Sequence, residues 1–337
     1  MVQNTAAFAN LSWYPFSERP VIPGTWYMPA LGDPFFLFPE ESPDAKWHLF
    51  GHSWIGIEHF ISENGISWEP RKMVRLRGRS PSLFFEHGTW YLLYEKHNPD
   101  LPQIRKKRVK GEAKKLSRSR FEISASKDLL IFDEPRLLLD SADVPFATEG
   151  LSQPRISRPQ IIKTGGVYRL YYGVSHRRLF DSRQKCSRYF AMATSDSLFG
   201  PYVPYEEGRP LLAPDADDLY RNMAVGSVRV VRVEDGYVAL QCAYSWDKKE
   251  GKSISSLVQL ESSDGIDWKA APRKPLLTLP KSGWASSYIV SCDVSYKESE
   301  ACWYCYYSAN RRVGRIFAPE NIGLLLGKEP SLRRLKL

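Results

Sequence analysis

Ser80-Pro-Ser-Leu-Phe-Phe-Glu-His-Gly-Thr-Trp-Tyr-Leu-Leu-Tyr94 reads as a short strand, a turn and an aromatic strand. The same reading returns at Asp33-Pro-Phe-Phe-Leu37 with Lys46-Trp-His-Leu-Phe50, and at Arg158-Pro-Gln-Ile-Ile-Lys-Thr-Gly-Gly-Val-Tyr-Arg-Leu-Tyr-Tyr172. It returns less sharply at Ser227-Val-Arg-Val-Val231 with Gly236-Tyr-Val-Ala-Leu240, and at Asp293-Val-Ser-Tyr296 with Cys302-Trp-Tyr-Cys-Tyr-Tyr307. A repeat of this kind means one supersecondary unit used several times.

A second half follows each of the first four units: an apolar strand, a turn led by serine, and an aromatic residue opening the last strand. The copies are Ser62-Glu-Asn-Gly-Ile-Ser-Trp68, Ser126-Lys-Asp-Leu-Leu-Ile-Phe132, Ser195-Asp-Ser-Leu-Phe-Gly-Pro-Tyr202 and Ser263-Asp-Gly-Ile-Asp-Trp268, with leading serines 64, 69 and 68 residues apart. Asn-Gly and Asp-Gly supply the positive φ that tight turns require. Five four-stranded antiparallel sheets follow, at about 26–72, 73–140, 152–212, 220–279 and 283–327. The fifth has only three strands of its own, so the N-terminal segment within Leu11–Thr25 is expected to supply its outer strand and close the ring. The expected fold is all-β: one five-bladed β-propeller over residues 1–337, in which radial repetition protects the sheet edges.

The 337 residues are 43% hydrophobic and 13% aromatic, enough for a sizeable core, and no apolar run approaches the roughly 18 residues of a membrane span. The start, MVQNTAAFANLSWYPF, has neither a basic n-region nor an apolar h-region, so a cytoplasmic location is expected. Five cysteines form no even framework, and Cys302 and Cys305 point to opposite faces of one strand. They are expected to be buried, reduced thiols.

A net charge of +9 favours a polyanionic partner. Nucleic acid is disfavoured, because no RNA-recognition, KH or helix-turn-helix signature occurs and the aromatics follow strand periodicity. The basic residues concentrate where second strands return to third strands at one mouth of the ring. These loops are Gln103–Arg120, His176–Arg188, Lys248, Lys249 and Lys252, and Arg311, Arg312 and Arg315. A basic rim of this kind raises the local concentration of an anionic ligand.

Gly32-Asp33-Pro34, the repeated Gly-x-Tyr/Trp-x-Leu-x-Tyr strands and Tyr189-Phe-Ala-Met-Ala-Thr-Ser-Asp-Ser-Leu-Phe-Gly-Pro-Tyr202 resemble the five-bladed propeller glycoside hydrolases of family 43 and their family 32 relatives. The resemblance implies three carboxylates in a central funnel: a base Asp in the first blade, a pKa-tuning Asp in the second and an acid Glu in the third. Asp33 matches the base, whereas Ser82 and Ser157 stand where the other two are expected. It also implies a structural calcium ion in the funnel, which no residue here demands; no other cofactor or metal is expected.

Aligning the inner strands puts Asp33, Ser80, Arg158, Ser227 and Asp293 in one register at the funnel. Asp33 is the candidate base or nucleophile, and Asp293 or Glu95 the acid. Arg79 and Arg158 stand beside the substituted positions and suit a carboxylate, sulfate or phosphate group. His52, His97 and His176 are expected at funnel-face strand ends, in reach of a sugar, with Trp54, Trp246 and Trp284 as stacking platforms. His48 and His52, about 13 Å apart along a strand, are too distant to chelate one ion. The expected activity is acid/base hydrolysis of an anionic oligosaccharide or polysaccharide. The alternatives are a catalytically silent propeller that binds anionic glycan or serves as a scaffold, and a transferase or lyase using the same funnel.

Overall fold

The protein is represented by a computed structural model, which describes residues 4–25, 28, 30–97, 118–148, 154–182, 184–271, 274–313 and 316–330. After a short helix, α1 (Thr5–Ala9), the strand β1 (Ser12–Pro15) leads into five sheets. Blade one holds β2 (Gly32–Leu37), β3 (Trp47–His52), β4 (Gly56–Ser62) and β5 (Glu69–Leu76). Blade two holds β6 (Gly78–Glu86), β7 (Thr89–His97), β8 (Ser119–Ser126) and β9 (Arg136–Asp140). Blade three holds β10 (Ile156–Thr164), β11 (Val167–Arg178), β12 (Lys185–Ser195) and β13 (Val203–Pro204).

Blade four holds β14 (Ala224–Val233), β15 (Gly236–Asp247), β16 (Lys252–Ser262) and β17 (Lys269–Ala270), with β18 (Leu277–Thr278) also pairing β16. Blade five holds β19 (Tyr288–Lys297), β20 (Cys302–Val313) and β21 (Ile316–Lys328). Its outer strand is β1, paired antiparallel to β21 from Ser12↔Lys328 to Pro15↔Leu325, so the N-terminal segment closes the ring. The architecture is a single five-bladed all-β propeller, with β2, β6, β10, β14 and β19 innermost.

The aromatic strands of the repeat fill the spaces between blades. Leu93 and Phe121 of blade two meet Leu170 and Tyr172 of blade three in one apolar cluster, and Phe36, Trp47 and Leu49 meet Tyr306 and Leu324 across the closure of the ring. Each such side chain contributes roughly 1.5–3 kcal/mol on burial. The serine-led turns work by local capping. Ser62 Oγ accepts the Gly65 N–H at 2.9 Å, and Asn64 Oδ1 accepts those of Ile66 and Ser67, both at 2.9 Å. In blade four the leading residue is Ser262, not Ser263: Ser262 Oγ accepts the Gly265 N–H at 2.9 Å, and Asp264 takes the Asn64 role. Two adjacent serines in the sequence concealed this one-residue shift.

Each inner strand carries a bulge at its first turn of ladder. In three blades the bulged residue is non-glycine with positive φ, namely Asp33 (48°), Ser80 (49°) and Arg158 (57°). A proline follows each one, and its missing N–H suits a break in the ladder. Such backbone strain in non-glycine residues marks a place where side-chain direction matters.

The bulges also correct the expected alignment. Ser227 lies beyond its bulge, level with Phe35 and Ser82. Asp293 is further along, where its carboxylate accepts the Phe36 N–H at 2.9 Å. Asp293 is therefore about three residues, roughly 10 Å, deeper than Asp33. All five cysteines are free and buried. Among the described residues, no helix is long and apolar enough to cross a membrane.

Candidate active site

The bulge in β2 turns Asp33 into the axis of the ring, where it is 6% exposed. Arg158 Nε, from the equivalent bulge of blade three, donates to Asp33 Oδ1 at 3.0 Å. Ser80 Oγ, from that of blade two, donates to Oδ2, and His52 Nδ1 stands 3.3 Å from the same oxygen. The Asp33 N–H is held by Ser291 Oγ at 3.1 Å. Burial alone would raise this carboxyl, but the charges of Arg158 and His52 and the hydrogen bonds from His52 and Ser80 outweigh it. They hold Asp33 well below the usual carboxylate range, so it is an anion at neutral pH.

Glu95 lies opposite Arg79 across the β6–β7 ladder and is 1% exposed. Arg155, just before β10, donates from Nε to Glu95 Oε1 at 2.9 Å. Burial raises the Glu95 carboxyl, while the charges of Arg155, His97 and Arg79 bring it below its ordinary value. Burial lowers the Arg79 guanidinium and Arg155 repels it, against attraction from Glu95 and Asp33. Burial, then Arg155, pushes His97 down to about 4. His176 Nε2 shares a hydrogen bond with Ser157 Oγ at 2.7 Å; burial, Arg155 and Arg158 keep this imidazole neutral.

The first residue of β12, Lys185, completes the basic surround. Partial burial and the charges of Arg155, Arg178 and Arg79 push its ammonium down to about 8. Lys185 and Arg155 carry no motif in the sequence, and only the ladder pairing Lys185 with Arg178, and the contact with Glu95, reveal them. Glu320 was missed as well. It sits on β21 with its carboxylate against Gly32, where a Cβ would come within 2.5 Å of Oε1. That oxygen is buried without a hydrogen-bond partner. Burial and the neighbouring Asp33 charge raise the Glu320 carboxyl, against His52, a Ser308 hydrogen bond and Arg158. The sequence signal that would have found it is a glutamate just ahead of the apolar run of the closing strand, Glu320-Asn-Ile-Gly-Leu-Leu-Leu326.

The other expected residues divide. Trp54 stands 67% exposed at the β3–β4 turn, free to stack on a ring. Trp246 and the exposed Phe180 form a second rim platform, with centroids 4.9 Å apart. Trp284 packs on Tyr307 instead, and its indole N–H donates to the Glu18 carbonyl at 3.1 Å, so it belongs to blade packing. The basic run 103–117, with Arg183 and Arg315, lies outside the described residues. Of its end, Arg118 pairs with Asp140 and Arg120 with Glu122, both at 2.6 Å, so part of the rim charge is neutralised internally.

Below Asp33 the channel narrows to a void of ≈ 40 Å³ that reaches Arg229 and Asp293. A sugar cannot pass it. Larger cavities among the described residues include one of ≈ 750 Å³ lined by Asp181 of blade three, Asp247 and Ser253 of blade four and Tyr288 of blade five, and one of ≈ 630 Å³ at the opposite mouth, lined by Asp293, Phe35, Glu41 and Lys127. Asp293 Oδ1 stands 2.5 Å from Arg229 Nε, and burial raises its carboxyl despite that guanidinium. Two guanidinium groups, Arg158 and Arg229, take both aspartates of the channel, which does not fit the six to eight oxygen ligands of calcium. Among the described residues, no group of three or more His, Cys, Asp or Glu is placed to hold a metal ion.

No protein-family profile and no curated protein sequence matches the chain. Solved structures with the same five-bladed propeller do. A thermostable family-43 glycoside hydrolase is 15% identical over 88% of this chain and 88% of its own, with a TM-score of 0.57. A family-117 glycoside hydrolase from the marine bacterium Zobellia galactanivorans is 13% identical over 96% and 92%, also at 0.57. An N-acetylgalactosamine deacetylase from F. plautii, in complex with blood group B trisaccharide, is 15% identical over 94% and 95%, at 0.59. At these identities the likeness is one of fold.

Proposed function

We propose that the protein is a glycoside hydrolase acting on an acidic saccharide that enters from the Asp33 face. The observation that carries this reading is Asp33 itself: a strained, buried carboxylate held anionic at the floor of a funnel by groups from three blades. In a hydrolase it would serve as base or nucleophile toward the anomeric centre. Arg79, Arg155 and Lys185 crowd the wall above it, so their mutual repulsion is relieved when an anionic sugar substituent binds among them. His97 and His176, both held neutral, would offer hydrogen bonds to hydroxyls, and Trp54 a stacking face.

The proton donor is not one of the expected pair. Glu95 is fixed by Arg155 and ionised; Asp293 lies beyond the constriction. A second reading, a silent propeller that binds acidic glycan, is favoured by Ser82 and Ser157, which replace two carboxylates of the resembling families. Ser82 Oγ is spent on the Pro159 carbonyl, at 2.5 Å, and Ser157 Oγ on His176. Product release from a panel of neutral and acidic oligosaccharides, with Asp33→Asn alongside, decides between them. Release from acidic members only, lost in the variant, supports the hydrolase. Binding without release favours the silent propeller, and release from neutral members alone removes the anionic substrate.

A further inference from the structure

We propose that Glu320 is the proton donor of this site, contributed by the closing strand of blade five and partnered with Asp33. The inference rests on the hydrolase reading. β21 runs beside the N-terminal end of β2: Glu320 bridges to Ala30, and its carbonyl accepts the Leu31 N–H at 3.3 Å. This pairing delivers the Glu320 side chain to Gly32, the residue before Asp33, and only a glycine leaves room for it there. Oε1 is buried with no partner among the described residues, an arrangement that costs stability in an ionised or fully structural carboxylate.

The groups facing Glu320 are Asp33 and His52 from blade one, Ser308 from β20, Arg158 from blade three, Arg79 from blade two and Tyr244 from blade four. Asp33 takes Arg158 and His52 in direct contact, and Glu320 makes neither contact. Two neighbouring carboxyls are thereby pushed in opposite directions, Asp33 down and Glu320 up, which is the division of labour an acid and a base need. The protonated Glu320 gives its proton to the leaving glycosidic oxygen as the C1–O bond breaks. Water attacks C1 and passes a proton to Asp33. Loss of that proton to solvent and reprotonation of Glu320 restore the starting state, so one water is consumed per bond.

The test is Glu320→Gln assayed on two substrates of the same acidic sugar: an oligosaccharide, and an aryl glycoside whose dinitrophenolate leaves without protonation. The oligosaccharide kcat is expected to fall by roughly 10²-fold or more. The aryl glycoside kcat should stay within about tenfold, and the alkaline limb of the kcat–pH profile should vanish. Asp33→Asn should lose both substrates. Equal loss on the two substrates with a native circular-dichroism spectrum, or loss on neither, overturns Glu320 as donor while leaving the hydrolase reading standing. A wild-type protein inactive on both substrates instead overturns the hydrolase reading, and this inference with it. If Glu320→Gln does not fold, Glu320→Asp, which retracts the carboxyl by one methylene, should show the same split between substrates.

Discussion

Asp33 and Asp293 are two buried aspartates on adjacent inner strands, each facing one arginine from another blade, yet their carboxyls shift in opposite directions. Both are desolvated, which raises a carboxyl. Asp33 adds to its guanidinium the imidazole of His52 and a hydroxyl, Ser80. Asp293 adds backbone N–H groups, and burial still prevails. A single ion pair therefore does not decide which way a buried carboxyl shifts; the further side-chain donors that the fold gathers do. Those donors gather at the bulges, where β2, β6 and β10 aim Asp33, Ser80 and Arg158 at one point.

The sharpest test of this contrast is to neutralise each aspartate in turn. Asp33→Asn should reduce kcat by roughly 10²–10⁴-fold. Asp293→Asn should leave kcat within about threefold and lower the melting temperature, since it weakens the partner of Arg229. Comparable loss of kcat in both would erase the distinction between the two ends of the channel.

Next in size is Arg158→Met, which strips Asp33 of its main cation. Removing one partner of a buried pair costs roughly 3–5 kcal/mol, measurable by urea unfolding. The Asp33 carboxyl should also rise, moving the acid limb of kcat/KM to higher pH. An unmoved limb would mean that His52 and Ser80 alone hold the charge.

A smaller effect belongs to the wall. Lys185, at about 8, loses its proton as pH rises through that value, so KM for an acidic substrate should increase above about pH 8. Lys185→Met should raise KM at pH 7 and flatten that rise; an unchanged profile would detach Lys185 from substrate binding. The smallest effect is expected at the rim. Trp54→Ala should raise KM a few-fold, consistent with roughly 1 kcal/mol of stacking, with kcat unchanged. A fall in kcat instead would place Trp54 nearer the reaction than its exposure indicates.

The repeat carried most of the fold. Alternating apolar and aromatic strands, serine-led turns and the three-strand fifth unit together required a ring closed by the N-terminus, because an open edge must be paired. Asp33 was legible for a related reason: Asp-Pro, Ser-Pro and Arg-Pro recur at the same point of successive units. The depth of Asp293 was not legible, since a bulge shifts register by one residue without leaving a fixed motif in blades four and five. Nor were Lys185, Glu320 or the partner that Arg155 gives Glu95, which reach Arg79, Asp33 or Glu95 only after strands from blades two, three and five converge. Local hydrogen bonding and hydrophobic period are written in neighbouring residues, so the sequence by itself determined the blades, their number and the first aspartate. The protonation of the acids depends on burial and on charges tens to hundreds of residues away, and only the closed ring decided it.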